Sequence, residues 1–154
     1  MQLSEFLDFD AIKPSLSGGN KRALLQQMAQ FAAGRLQVDA AEILSSISER
    51  ERLGSTGFGH GVAIPHGKID GLTQIYCMFA RLSEPVDYKA IDGGEVDLVF
   101  LLLSPPDAGA EHLKALASIS RVTRHAPTLE KMRGARSRDA LAAVLMGADE
   151  RDAA

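Results

Sequence analysis

Residues 51–68 read ERLGSTGFGHGVAIPHGK and hold the most distinctive pattern in the chain. Four of the nine residues from 53 to 61 are glycine, a content that suits neither a helix nor a strand, so this part is predicted to be a loop with unusual backbone angles. The apolar residues 62–64 predict a short strand that ends at Pro65-His66-Gly67. The pattern therefore predicts a histidine at a strand end, beside a loop that offers free backbone N–H groups.

His66 is the residue of this segment best suited to chemistry. Pro65 fixes the backbone before it, and Gly67 leaves the backbone after it uncrowded. An imidazole that faces the amides of a glycine-rich loop has the setting of a nucleophile opposite an anion-binding site. An ordinary surface histidine fits the same local pattern, and the pattern alone does not separate the two interpretations.

Two helices are predicted before the glycine-rich loop, after a short opening segment. The first is entered at Ser17-Gly18-Gly19-Asn20 and has Gly34 near its end. The second is capped by Asp39 and ends in the charged cluster of residues 49–52.

Two apolar runs follow the loop. Residues 74–82 and 96–103 are apolar almost throughout, which predicts interior strands covered on both faces. A turn at Asp92-Gly93-Gly94 is expected to join residues 88–91 to the second of these strands as a hairpin.

Three helices are predicted after the second apolar run. One begins near Ala110, a short one covers about residues 127–132, and a last one is capped by Ser137 and followed by Gly147. Helices before and after buried strands predict a layered α/β domain.

Length and composition predict one domain that spans residues 1–154. Apolar residues make up 45% of the 154 residues, and the net charge of −3 is too mild to indicate a polyanionic or membrane-surface partner. The N-terminus lacks the basic and apolar regions of a signal peptide, and no apolar run approaches the length of about 18 residues that a membrane span requires. We therefore expect a cytoplasmic protein, in which the single cysteine, Cys77, is a buried and inert thiol because its neighbours are apolar.

The histidines do not form a metal-binding pattern. The four histidines have no cysteine or carboxylate near them at zinc-ligand spacing, so no metal is expected. The phosphate-binding loop of nucleotide hydrolases and the nucleophile elbow of serine hydrolases are absent from the sequence, and no cofactor is expected. His60 and His125 are interpreted as solvated side chains.

His112 is the second candidate for chemistry. It falls in the first turn of the helix that starts near Ala110, where the helix dipole disfavours an imidazolium and backbone N–H groups attract an anion. A neutral His112 could then donate an N–H to a phosphoryl oxygen carried by His66. A capping or surface histidine is the alternative.

Two parts of the sequence resemble a known family. Residues 51–68 are similar to the phosphorylation-site signature of the EIIA proteins of the fructose/mannitol class, which belong to the phosphoenolpyruvate-dependent phosphotransferase system. Residues 92–102, together with Glu111-His112-Leu113, resemble the second conserved region of that family. The resemblance spans about residues 3–147, and it implies a mixed, about five-stranded sheet flanked by helices on both faces.

The resemblance also implies roles for particular residues. His66 would be phosphorylated reversibly through Nε2, His112 would assist the transfer, and Arg50 would stabilise the phosphoryl group. The loop residues near the site would bind phosphate, and Phe58 and Ile69 are candidates for an apolar docking surface around it. The phosphate-loop residues are Ser55, Thr56, Gly57, Gly59 and Gly61.

The implied partners distinguish two branches of the family. The opening residues 3–7 and residues 53–57 resemble the nitrogen-related branch (EIIA-Ntr), in which an HPr-like phosphocarrier (NPr) is the donor and the phosphorylation state regulates targets such as potassium-transport components. The alternative is a sugar-transport EIIA that passes its phosphoryl group to a separate EIIB. The catalytic residues are alike in both branches, so the sequence leaves the choice open.

Two binding roles are alternatives to phosphotransfer. A binding module that has lost phosphotransfer is disfavoured, because both His66 and His112 are present. Residues 121–138 contain six basic residues and one acid, a pattern compatible with nucleic-acid binding. No aromatic residues are interleaved for stacking, so a solvated helical surface is the favoured interpretation and no nucleic-acid partner is expected.

Overall fold

Six strands form one mixed sheet in the computed structural model, which describes residues 1–153 and the side chains of residues 1–148. The order across the sheet is β1-β5-β6-β3-β2, and β4 pairs with β6 beyond β3. The α/β class and the mixed sheet predicted from the sequence are confirmed, with six strands in the described residues instead of about five. The strands are β1 (Leu7–Leu16), β2 (Gly57–Gly59), β3 (Val62–Ala63), β4 (His66–Lys68), β5 (Tyr76–Val86) and β6 (Val96–Ser104).

The helices cover both faces of the sheet, as the resemblance implies. One apolar cluster lies between the sheet and the first two helices, and a second lies between the sheet and the last three. None of the helices in the described part of the chain combines the length and apolar character that a membrane span requires. The helices are α1 (Lys21–Leu36), α2 (Ala40–Arg52), α3 (Ala110–Thr123), α4 (Ala126–Gly134) and α5 (Arg138–Ala153).

Three helix starts lie where the sequence predicts them, because a side-chain oxygen caps each one. Asn20 accepts a hydrogen bond from the amide of Ala23 at 2.8 Å, and Asp39 accepts one from the amide of Ala41 at 2.9 Å. Ser137 caps α5 in the same way. The predicted end of α5 is wrong, since Gly147 lies inside this helix.

The first strand, β1, was missed by the sequence analysis, which treated residues before 17 as an opening segment without structure. It pairs in parallel with β5 at the edge of the sheet. Its charged residues and Pro14 obscure the alternating pattern of a strand, but an edge strand tolerates both.

The predicted hairpin has a different partner. β5 pairs antiparallel with β6 from Tyr76 opposite Leu103 to Val86 opposite Val96, so residues 88–91 are not the paired strand. This segment leaves the sheet because the buried Tyr88 donates a hydrogen bond to Glu51 at the end of α2. The turn itself is confirmed: the amide of Gly93 donates to the carbonyl of Ala90.

Part of the glycine-rich segment is a strand, where the sequence predicted a loop. Residues 57–59 form β2, which pairs antiparallel with β3. The unusual backbone angles are confirmed, since Gly54, Gly59, His60 and Gly61 all have positive φ.

β3 and β4 lie one after the other along the same edge of β6, with Ile64 and Pro65 between them. His66 therefore begins a short strand, β4, instead of following the end of one. Pro65 is tolerated here because its carbonyl accepts from the amide of Leu102 and the missing amide falls at a break between the two strands.

Candidate functional site

The register of β4 against β6 decides which side chains of β4 meet each layer of helices. His66 pairs with Leu102 and Lys68 pairs with Ser104, and paired residues of neighbouring strands share a face. Leu102 belongs to the apolar cluster under α3, so His66 and Lys68 lie on the α3 face. The intervening Gly67 lies on the opposite face, toward α2.

Gly67 allows β4 to lie directly against α2. A Cβ at this position would lie 3.0 Å from the Cβ of Ser46 and 3.2 Å from the backbone carbonyl carbon of Ser46. The Ser46 hydroxyl donates to the carbonyl of Lys68 at 2.9 Å, which fixes β4 to the helix. The absence of a side chain at residue 67 therefore brings the end of α2 beside His66.

His66 is half-buried, and its ring is held at one nitrogen. Nδ1 lies 2.8 Å from the carbonyl oxygen of Ile64. A carbonyl only accepts, so Nδ1 carries the proton, and in the neutral ring Nε2 keeps its lone pair. The pKa of His66 is lowered mainly by burial and further by the nearby Arg50 cation, against the opposing effect of the Ile64 hydrogen bond. These causes favour a neutral ring with a free Nε2.

His112 lies beside His66, in the first turn of α3. The centroids of the two rings are 5.4 Å apart. His112 is 8% exposed, and its Nδ1 is 2.6 Å from the buried hydroxyl of Ser104. Burial lowers the pKa of His112 to about 4, with smaller contributions from His66 and Lys68, so this ring is neutral at physiological pH.

Arg50 lies in the last turn of α2, and its guanidinium donates to the carbonyl of Gly54 at 2.9 Å. It lines an open depression of about 490 Å³ that both histidines also line. The structure therefore brings together the three side chains that the sequence analysis assigned to catalysis. The depression is lined by Ser46, Glu49, Arg50, Leu53, His66, Gly67, Lys68 and His112.

The five predicted phosphate-loop residues do not line this depression. Thr56 is fully buried, where its amide and its hydroxyl both bond to the carboxylate of Glu51. The hydroxyl of Ser55 accepts from the amide of Gly57. The Glu51 carboxylate also pairs with Lys21 at 2.8 Å, so it ties the segment after α2 to α1.

The three loop glycines permit close packing against other parts of the chain. A Cβ at Gly57 would lie 2.8 Å from the Cβ of Ala90. Gly59 lies against Asp92, and Gly61 lies against Arg133 and Asp97. A role of these glycines in phosphate binding stays a prediction.

The apolar rim of the depression differs from the expected one. Ile69 is 2% exposed, so its predicted place on a docking surface is wrong: it packs in the apolar cluster under α1 and α2. Phe58 is 42% exposed. Leu53 lines the depression with 85% exposure, and Leu113, next to His112, is 67% exposed. In the sequence, the feature that could have indicated an exposed Leu53 is its position directly after the charged end of α2.

Three site residues escaped the sequence analysis: Ser46, Lys68 and Ser104. Ser104 could have been suspected, since a serine that ends an apolar strand eight residues before a candidate histidine is a polar group in a buried setting. Ser46 and Lys68 carry no comparable signal, because their roles depend on the packing of β4 between α2 and β6.

The remaining histidines and the cysteine do not line the depression. His60 is exposed, as predicted, whereas His125 is less exposed than expected: it is half-buried, with its Nδ1 2.7 Å from the hydroxyl of Thr128. Cys77 is fully buried, which raises the pKa of its thiol. Within the described residues, no group of three or more His, Cys, Asp and Glu side chains is arranged to hold a metal ion.

Several cations of the basic stretch are engaged within the chain. Arg133 makes two hydrogen bonds to Asp97, each at 2.9 Å, and Arg121 donates to the carbonyl of Met1. Arg138 lies 3.7 Å from a carboxylate oxygen of Asp10. These contacts agree with a structural and solvated role for residues 121–138.

The sequence of this chain matches a known family model and is similar to known proteins. Residues 5–147 match the family model described as phosphoenolpyruvate-dependent sugar phosphotransferase system, EIIA 2. The chain is 43% identical over 145 residues to a nitrogen regulatory protein of Bradyrhizobium diazoefficiens, with 94% of this chain and 95% of that protein covered.

Solved structures share the fold. The crystal structure of the nitrogen regulatory protein IIA-Ntr from Neisseria meningitidis matches with a TM-score of 0.87 and 33% identity over 93% of this chain and 98% of that one. The enzyme IIAMtl of Escherichia coli, solved in complex with phosphorylated enzyme IIBMtl, matches with a TM-score of 0.76 and 18% identity over 90% of this chain and 95% of that one.

Proposed function

Because this chain belongs to the EIIA 2 family of the phosphoenolpyruvate-dependent sugar phosphotransferase system, we propose that it is a phosphocarrier that accepts a phosphoryl group on Nε2 of His66. The observation that carries the proposal is the hydrogen bond from His66 Nδ1 to the carbonyl of Ile64. It leaves the lone pair on Nε2, on the side of the ring away from that carbonyl. The lowered pKa of His66 keeps this lone pair free of a proton.

The transfer proceeds between two imidazoles. The bond from phosphorus to the donor's histidine nitrogen breaks as the bond from phosphorus to His66 Nε2 forms, and the donor keeps the electron pair of the broken bond. The phosphoryl group carries spread negative charge during this in-line exchange, so the protein's task is to position it and stabilise that charge.

Three side chains of the depression suit that task. Arg50 supplies a guanidinium, and Lys68, two residues after His66 on the same face of β4, supplies an ammonium. His112 adds a neutral ring within reach of a phosphoryl group on His66. Together these three side chains can stabilise the negative charge of the phosphoryl group without a metal ion.

We expect the donor to be an HPr-like phosphocarrier (NPr), since the chain is 43% and 38% identical to two nitrogen regulatory proteins. The output would be regulation by phosphorylation state, with potassium-transport components among the candidate targets. We expect the protein to act in the cytoplasm, where phosphoenolpyruvate is available. The exposed Leu53 and Leu113 beside the depression would exclude water when a donor docks.

A sugar-transport EIIA that hands its phosphoryl group to an EIIB is the second candidate. The observation that favours it is the fold shared with a IIA enzyme solved in complex with phosphorylated enzyme IIBMtl. Transfer from the phosphorylated chain to a purified EIIB of the fructose or mannitol class would support this candidate, and transfer to none of them would favour the nitrogen branch.

The proposal is tested with labelled phosphoenolpyruvate, enzyme I and an HPr-like carrier. The chain should acquire a label that is labile in acid and stable in base, and His66→Ala should abolish it. His60→Ala is the matched control, because His60 is exposed and does not line the depression, and it should be labelled like the wild type.

A second arm uses phosphoramidate, a small phosphoryl donor that requires no docking. Labelling by phosphoramidate but not by the protein carrier would mean that the carrier is mismatched, whereas a wild-type chain that neither donor labels would refute the proposed function. Label that persists in His66→Ala would move the acceptor to another residue.

A further inference from the structure

The rings of His66 and His112 are each held at Nδ1, but the two hydrogen-bond partners differ in chemistry. His66 Nδ1 meets a carbonyl oxygen, which only accepts a hydrogen bond. His112 Nδ1 meets the hydroxyl of Ser104, which can donate or accept. The tautomer of His112 therefore depends on which partner supplies the proton of this 2.6 Å hydrogen bond.

The burial of Ser104 decides the direction. The Ser104 side chain is fully buried, and among the described residues its hydroxyl has a hydrogen bond only with His112. If His112 Nδ1 were the donor, the hydroxyl proton of Ser104 would be buried without an acceptor, which costs about 1–3 kcal/mol. If Ser104 donates, both groups are satisfied, and the single ring proton of neutral His112 lies on Nε2.

We propose that Ser104 is a positioning residue that holds His112 as the Nε2–H tautomer, so that this N–H donates to the phosphoryl group carried by His66. The inference rests on the proposed function of His66. Two chemically identical rings thereby take complementary roles: a carbonyl sets His66 as a nucleophile with a free Nε2, and a hydroxyl sets His112 as a donor at Nε2.

The sheet register supports this arrangement. Ser104 pairs with Lys68, two residues after His66, so the hydroxyl lies on the same face of the sheet as the His66 ring. His112 packs onto that face from α3, with the two ring centroids 5.4 Å apart. Ser104 at the end of β6 thus fixes the ring of His112, which lies beside His66 on the neighbouring strand β4. Burial keeps the His112 ring neutral, so it has only one proton to donate.

The first test reads the tautomer directly in the unphosphorylated protein. Long-range proton–nitrogen NMR spectra near neutral pH should show His112 with a protonated Nε2 and an unprotonated Nδ1. The opposite assignment, a protonated Nδ1 on His112, would overturn the inference whatever happens at His66.

The second test uses a matched pair of variants, Ser104→Thr and Ser104→Val. The two have nearly the same volume, so any strain at this buried position is shared, and only the hydroxyl differs. Ser104→Thr should keep the Nε2–H tautomer, whereas Ser104→Val should give a mixture of tautomers. Phosphorylation of His66 by phosphoramidate should be slower in the Val variant than in the Thr variant by the factor by which the Nε2–H population falls, which is about twofold for an even mixture of tautomers.

Equal rates for the folded Thr and Val variants would overturn the role of Ser104 in transfer. A wild-type protein that shows the Nε2–H tautomer but takes no phosphoryl group would refute the proposed function and leave the Ser104 hydrogen bond as a structural fact. The two failures are therefore distinguishable.

Discussion

Protonation of His112 should make the stability of the protein depend on pH below neutrality. Burial lowers the pKa of His112 to about 4 in the folded chain, whereas an exposed histidine has a pKa of about 6.5. The unfolded state therefore binds the proton first as the pH falls. The stabilisation is complete above pH 6.5, is lost as the pH falls toward about 4, and stays lost below that.

The size of the effect follows from the same two pKa values. At about 1.4 kcal/mol for each pKa unit, the difference of the two pKa values corresponds to an upper limit of roughly 3–4 kcal/mol. The site opens onto a depression at the protein surface, and screening by solvent there reduces the expected loss to roughly 1–2 kcal/mol. A loss of this size is a large part of the stability of an ordinary domain.

The assay compares chemical denaturation of His66→Gln with that of His66→Gln/His112→Gln. The first substitution removes the pH dependence of His66 from both proteins, and the remaining difference isolates His112. Between about pH 7.5 and about pH 4.5, the free energy of unfolding should fall more steeply in the variant that retains His112. Parallel pH profiles would refute the claim that the His112 ring is desolvated, and a shallower profile would reverse its sign.

Two further substitutions test the packing and the docking surface. Gly67→Ala should lower the free energy of unfolding by about 1–3 kcal/mol and slow the labelling of His66, because the new methyl group meets Ser46 on α2; thermal denaturation measures this, and Ser46→Ala added to it should restore part of the loss, so no recovery would contradict the assigned contact. Leu113→Ser should slow phosphorylation of His66 by the protein carrier severalfold and leave phosphoramidate labelling unchanged, since we propose that this exposed side chain contacts the docked donor protein; equal slowing with both donors would mean that the substitution disturbs the site itself.

The parts of the fold that were predictable are those with a local physical cause. Asn20, Asp39 and Ser137 mark helix starts because a short polar side chain satisfies an amide at that place. The run at 96–103 predicted an interior strand because it is apolar almost throughout, and in the structure each of its faces has a layer of helices against it.

The parts that were not predictable depend on tertiary partners. β1 carries Asp8, Asp10 and Pro14, which read as a loop, yet Asp8 is held by Arg35 of α1 at 2.9 Å and by the hydroxyl of Tyr76 at 2.9 Å. No local rule pairs residues so far apart in the sequence. The end of α5 was placed too early because a single glycine, Gly147, has only a weak helix-breaking preference, and the helix continues through it.

The candidate site divides in the same way. The segment around His66 was recognisable from its own sequence, the predicted helix start made His112 a candidate donor beside it, and the likeness to a family implied the same pair. Local chemistry could not join two histidines 46 positions apart, nor could it predict that Glu51 would hold Thr56 away from the depression. Close packing and anion binding both select residues without a side chain, so the packing seen at these glycines leaves their predicted role in phosphate binding untested.

The chemistry of the site depends on a strand register that a slip of one residue would destroy. Side chains alternate between the faces of a strand, so such a slip would turn His66 toward α2 and Gly67 toward α3. Three contacts oppose it: the Ser46 hydroxyl on the carbonyl of Lys68, the carbonyl of Pro65 on the amide of Leu102, and the close fit of Gly67 against α2. The position of His66 is consequently fixed by backbone contacts of its neighbours, which leaves its Nε2 free for the phosphoryl exchange that we propose.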